Sequence, residues 1–204
     1  MLNLGNPKTR LALLLCALLI LLSGALLYFF AKQSPQPSPY QKLGGAFSLH
    51  HLSGPVALAD FSGKGVVMMF GYTSCPDVCP TGLATLAAAL DRLSTQQQQQ
   101  IQPLFISVDP ERDTLKKLDQ YSRYFYPGLL GITGSNAELD PVVSAYGAFY
   151  RRVEMPSSAL VYGVDHSARI YLINRRGQLV KLLNHNTNAA ELAEALNQLL
   201  QERS

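Results

Sequence analysis

Two cysteines lie four residues apart in Tyr72-Thr73-Ser74-Cys75-Pro76-Asp77-Val78-Cys79-Pro80, and a histidine stands far downstream in Gly163-Val164-Asp165-His166-Ser167. These are the side chains best suited to chemistry. The thiolate is the form of cysteine that attacks disulfides and binds metals. Four-residue spacing brings two sulfurs onto one side of a turn, where they bridge as a disulfide or share an ion, and the spacing does not choose between these. A residue before proline avoids the helical region, so Cys79 is expected at the start of a helix with Pro80 as its first helical residue. There the positive end of the helix dipole favours thiolate. Two thiolates and an imidazole suit a soft or borderline ion such as Cu(I) and also accept Cu(II), whereas a closed structural zinc site takes a fourth ligand. Against these stand an inert disulfide, common in exported domains, and an ordinary surface or core histidine.

The elements around these residues alternate. Gly65 to Tyr72 is a continuous apolar run, as in a strand covered on both faces, and reads as the central strand. Leu83, Leu86, Ala87, Leu90 and Leu93 then recur on one helical face. Leu104 to Val108 reads as a strand, Leu115, Leu118, Tyr121 and Phe125 mark a helix, and Ala168 to Asn174 is strand-like again. Arg175-Arg176-Gly177 turns into Leu179 to Leu183 as a hairpin, and Asn188 with Glu191 caps a last helix carrying Leu192, Leu196 and Leu199. Strands alternating with helices make an α/β sheet. The cysteines sit where the central strand ends, the place where ligands bind in open α/β sheets. His166 precedes a strand whose start adjoins that end if the two strands are antiparallel neighbours. The glutamine run Gln96 to Gln100 reads as a solvated loop.

Leu11 to Ala31 is uncharged and apolar for 21 residues, and about 20 are needed to cross a bilayer. A secretory signal peptide also has a basic start, but its apolar region is usually about 7–15 residues, so the segment reads as an anchor. Lys8 and Arg10 precede it, placing the N-terminus inside; a cleaved signal exports the remainder equally. The expected organisation is a cytoplasmic start at 1–10, a transmembrane anchor at 11–31, an extended linker rich in Pro, Ser and Gln at 32–42 and a folded domain at 43–204. Lys8, Arg10 and Lys32 account for the net charge of +3, and setting them aside leaves 14 basic against 14 acidic side chains. No basic stripe remains for nucleic acid. Cys16 lies inside the apolar run as a small hydrophobe, so Cys75 and Cys79 are the only exported pair.

GYTSCPDVCP, then SVDPERDT from Ser107 to Thr114, then VDHS before ARIYLIN, resemble in that order the Sco/SenC family of copper chaperones for cytochrome c oxidase assembly. The resemblance spans roughly residues 44 to 200. It implies a thioredoxin-like fold, with a central mixed sheet flanked by helices; with the apolar segment read as a single N-terminal transmembrane helix in the inner (cytoplasmic) membrane, the domain faces the periplasm or extracytoplasmic side. It implies Cys75, Cys79 and His166 as ligands of one copper ion, Cu(I) or Cu(II), and delivery to the dinuclear copper site of cytochrome c oxidase subunit II. Other periplasmic copper carriers and a thioredoxin-like reductant follow as further partners. The protein is then a metallochaperone without catalytic turnover; the enzyme alternative is an exported thiol-disulfide oxidoreductase using the same thiols. Thioredoxins usually place a cis-proline where this chain has Asp165-His166, which argues for metal binding. Ser74 stands where many family members have histidine, and no function is assigned to it.

Of the remaining polar residues, Asp165 is a candidate to orient the imidazole or a solvated turn residue. In the cluster Asp109, Glu111, Arg112 and Asp113, helix capping by Asp113 or Thr114 and local pairing by Arg112 explain most of the pattern. His50, His51 and His185 read as surface residues.

Overall fold

The computed structural model of the chain describes residues 7–32, 39–40, 42–156 and 161–201. It divides into two compact units between residues 37 and 38. The first holds helix α1, Pro7–Lys32, about 39 Å long at 1.5 Å per residue. Its segment Leu13–Phe30 is long and apolar enough to cross a membrane. Most of the expected linker, and residues 1–6 of the expected cytoplasmic start, lie outside the described residues.

The second unit opens with a hairpin of β1 (Ser48–His51) and β2 (Gly54–Ala57). There follow β3 (Gly65–Gly71), α2 (Val78–Leu90), α3 (Thr95–Gln99), β4 (Ile101–Ser107), α4 (Leu115–Phe125), β5 (Leu130–Ile132) and α5 (Asn136–Ala145). The chain ends with β6 (Tyr150–Glu154), β7 (Tyr162–His166), β8 (Arg169–Ile173), β9 (Leu179–Asn184) and α6 (Ala189–Gln201). The main sheet has the order β5-β4-β3-β8-β9. β3 runs parallel to β4, β4 parallel to β5, and β8 antiparallel to both β3 and β9. This is the mixed sheet flanked by helices that the sequence predicts, with β3 at its centre.

All seven residues of β3 are buried, because its apolar run has helices or loops on both faces. On one face Met69 lies under Gly82 of α2, Gly65 lies under Leu199 of α6, and Gly131 of β5 meets Leu118 of α4. On the other, Phe70 packs edge-on against Tyr146 and Tyr171 at 6.3 and 5.3 Å. β6 and β7 pair with each other in a separate two-stranded ribbon, Tyr150 opposite His166.

Three local expectations need correction. α2 starts at Val78, so Cys79 and Pro80 are its second and third residues. The first four helical N–H groups have no intrahelical acceptor, so proline is tolerated anywhere in that turn. The glutamine run is helical, not a loop: Ser94 caps α3, accepting from the Gln97 amide at 3.3 Å, and Gln98 donates to the Leu90 and Leu93 carbonyls. His51 is buried, with its Nδ1 accepting from the Ser53 amide and its Nε2 3.2 Å from Asp119 of α4. The cap on α6 forms as expected, Asn188 Oδ1 accepting from the Ala190 and Glu191 amides.

Candidate metal centre

β3 delivers the chain to its carboxyl end, where Tyr72 and Thr73 lead into the cysteine loop. That loop is tied down from below by one carboxylate. Asp113 accepts hydrogen bonds from the Thr73 amide at 2.8 Å and the Thr73 hydroxyl, from the Ser107 hydroxyl at 2.6 Å and from Lys117 Nζ at 3.2 Å. Its side chain has no exposed surface. The expected helix cap falls to Thr114, which accepts from the Lys117 amide.

Cys75 and Cys79 are both free thiols. Cys79 is 1% exposed and Cys75 9%, so Cys75 is the outward sulfur. His166, the last residue of β7, brings its Nε2 to 3.4 Å from Cys79 Sγ. One donor atom from each of the three lies within 4.8 Å of the others, the sole such metal-type cluster among the described residues. The sequence-predicted site residues therefore converge. An open concavity lined by Phe149, Tyr150, Arg151 and Asp165 borders the cluster at His166.

The thiols are unequal. The Cys75 thiol is drawn down to about 3, chiefly by its hydrogen bond with Cys79; burial opposes this, while His166 and the backbone amides of Asp77 and Cys79 assist. Those amides belong to the N-cap and to the first turn of α2, where N–H groups have no intrahelical acceptor. Cys79 is pushed up because it is the donor to Cys75, is buried, and sits beside the Cys75 charge. Within the pair, negative charge is favoured at Cys75 over Cys79.

Close packing surrounds the buried sulfur. A Cβ on Gly71 would stand 2.7 Å from Cys79 Sγ and 2.6 Å from Phe105, both inside van der Waals contact. Gly71→Ala is accordingly expected to destabilise the folded unit by about 1–3 kcal/mol, the usual range for overpacking, as read from thermal unfolding in detergent.

Asp165 does not orient the imidazole. It pairs with Arg151 at 2.9 Å, and His166 Nδ1 is buried with no hydrogen-bond partner among the described side chains. Sequence reasoning missed Tyr72, whose ring lies edge-on to His166 at 5.8 Å, and the buried role of Asp113. His50 is half exposed and bonds Glu138 at 2.9 Å, and His185 is exposed, both away from the site.

A mixed α/β domain with two reduced thiols and an imidazole gathered at the carboxyl end of its central strand defines a thioredoxin-like protein with a metal-type donor set. Comparison with known proteins then makes the assignment specific. The chain belongs to the SCO1/SenC family, whose model matches residues 35–201. The mitochondrial protein SCO1 homolog 1 of Arabidopsis thaliana is 38% identical over 155 residues, covering 76% of this chain and 46% of that protein. The chain thus spans about half the length of that curated relative. The crystal structure of Arabidopsis thaliana ScoI with copper bound superposes with a TM-score of 0.72 at 35% identity, over 79% of this chain and 99% of that one. The structure of Bradyrhizobium japonicum ScoI, also with copper bound, gives 0.70 at 36% identity, over 78% and 99%.

Proposed function

We propose that the chain is a copper metallochaperone in which Cys75, Cys79 and His166 bind one copper ion as cargo. The ion, Cu(I) or Cu(II), passes by exchange of thiolate ligands to the dinuclear copper site of cytochrome c oxidase subunit II during assembly, without catalytic turnover. The observation that carries this reading is the convergence of two sulfurs and one imidazole nitrogen within 4.8 Å, a set suited to soft or borderline ions. Membership of the SCO1/SenC family and the copper bound in two solved relatives support it. In this reading residues 11–31 anchor the chain in the inner membrane, 1–10 stay in the cytoplasm, 32–42 are a spacer and 43–204 work in the periplasm. Other periplasmic copper carriers load the site, and a thioredoxin-like reductant keeps its thiols reduced.

A second reading draws on the Cys75 thiolate: an exported thiol-disulfide oxidoreductase acting on cysteines of an oxidase subunit, for which the histidine is dispensable. Cu(I) titration of the full chain in detergent, under anaerobic reducing conditions and in competition with bicinchoninate, separates the two. Wild type is expected to retain one copper per chain, and His166→Ala to lose at least about tenfold in affinity, no less than the loss of an outer-shell partner. A wild-type chain that holds no copper yet cycles rapidly against a dithiol establishes the oxidoreductase. Unchanged affinity in His166→Ala removes the histidine from the ligand set.

A further inference from the structure

A metal-binding histidine usually has its second ring nitrogen hydrogen-bonded, which fixes the ring. Here the neighbouring carboxylate is turned to Arg151, and no described side chain bonds Nδ1. The ribbon carrying His166 is separate from the main sheet, so the ladder of β3 and β8 does not hold the ring either. Beside the cysteine sulfurs, the imidazole meets Tyr72, with ring centroids 5.8 Å apart and planes at 89°, the favoured edge-to-face geometry.

Tyr72 is itself held firmly. It is 5% exposed, and its successor Thr73 is bonded through both amide and hydroxyl to Asp113. Its hydroxyl meets the Val164 backbone amide and the Cys75 side chain. The Arg112 guanidinium lies over its ring at 5.6 Å. The same guanidinium stacks on Tyr162 at 3.6 Å, donates to the Tyr162 carbonyl at 2.9 Å and bonds Asp109 at 2.6 Å, and Asp109 accepts from the Tyr162 hydroxyl at 2.8 Å. Arg112 thus grips the first residue of β7 while backing the tyrosine that abuts its last.

We infer that the Tyr72 ring is the positioning residue for His166, setting the imidazole by aromatic packing in place of a hydrogen bond at Nδ1. The inference rests on the reading of His166 as a copper ligand. It also explains the Asp109 to Arg112 motif, which clamps the ribbon so that its terminal histidine meets that ring.

The test uses the full chain in detergent with Tyr72→Phe, Tyr72→Leu, Tyr72→Met and His166→Ala. Three quantities are read: Cu(I) affinity by bicinchoninate competition, the electron paramagnetic resonance and charge-transfer spectra of the Cu(II) form, and metal-free melting temperature. Tyr72→Phe keeps the ring and is expected to keep wild-type spectra and affinity. Tyr72→Leu is expected to lose about tenfold in affinity, the scale on which misoriented ligands act, and to shift its Cu(II) spectra toward those of His166→Ala. A packing role alone lowers the melting temperature and leaves the spectra alone. Tyr72→Met, close in bulk and without a ring, answers the question if the leucine variant does not fold. Wild-type spectra in the leucine or methionine variant overturn the inference, as does a full loss in Tyr72→Phe, which moves the role to the hydroxyl. If His166→Ala itself retains the wild-type spectra, the ligand assignment fails first, independently of any Tyr72 variant.

Discussion

Asp113→Ala is expected to destabilise the folded unit by about 2–6 kcal/mol, the range for leaving two buried donors unpaired. The carboxylate is wholly buried and accepts from four donors on three segments: Thr73 beyond β3, Ser107 ending β4, and Lys117 in α4. Deleting it strands the Thr73 amide and the Ser107 hydroxyl, and each buried donor left unpaired costs about 1–3 kcal/mol. Lys117 is the minor loser because it is 45% exposed and also reaches the Arg112 carbonyl and the Ser74 hydroxyl. Asp113→Asn preserves shape and can keep its carbonyl toward the Thr73 amide and the Ser107 hydroxyl, while the Thr73 hydroxyl rotates to accept from the new amide, so it is expected to fall between wild type and alanine. Urea unfolding followed by near-ultraviolet circular dichroism gives both values. A loss below about 1 kcal/mol for alanine, the level of a surface ion pair, would show that the network contributes little. Because Thr73 is two residues before Cys75, copper affinity is expected to fall with stability in the same series.

Asp113 also marks where sequence reading stops. An acidic residue in Asp-Pro-Glu-Arg-Asp-Thr looks solvated, and its burial is decided by Thr73, forty positions away. Likewise His51 looks like a surface residue until Asp119 comes up beneath it. Periodicity identifies β3, α2, α4, the β8 to β9 hairpin and α6, because each buries a regular face or run. It misses the ribbon of β6 and β7, whose residues are mostly half-buried or exposed, and it misreads the glutamine run, where the cap at Ser94 outweighs low complexity. Residue type and family pattern pick out Cys75, Cys79 and His166. Neither reveals Tyr72, since an aromatic residue at the end of an apolar strand looks like ordinary core and its contact with His166 forms only when the ribbon folds back.

The asymmetry of the two thiols predicts a pH signature. In the folded, metal-free, reduced chain, Cys75 is expected to react with iodoacetamide at a nearly constant rate from about pH 8 down to about pH 5, because its pKa near 3 lies below that window and the thiolate persists throughout. In the guanidinium-unfolded chain the same cysteine recovers an ordinary pKa of about 8.5, and its rate falls about tenfold per unit below that. The slope, not the absolute rate, is the signature, since a thiolate of low pKa is also a weaker nucleophile. Cys79 is expected to lag at every pH, being 1% exposed and held as the thiol by its hydrogen bond to Cys75. Peptide-level mass spectrometry resolves both from Cys16. A folded-state rate for Cys75 that drops in parallel with the unfolded control would show that the helix amides and the partner thiol do not hold the charge. A flat rate leaves Cys75 as the outward, deprotonated sulfur of the pair and Cys79 as the inward one that keeps its proton.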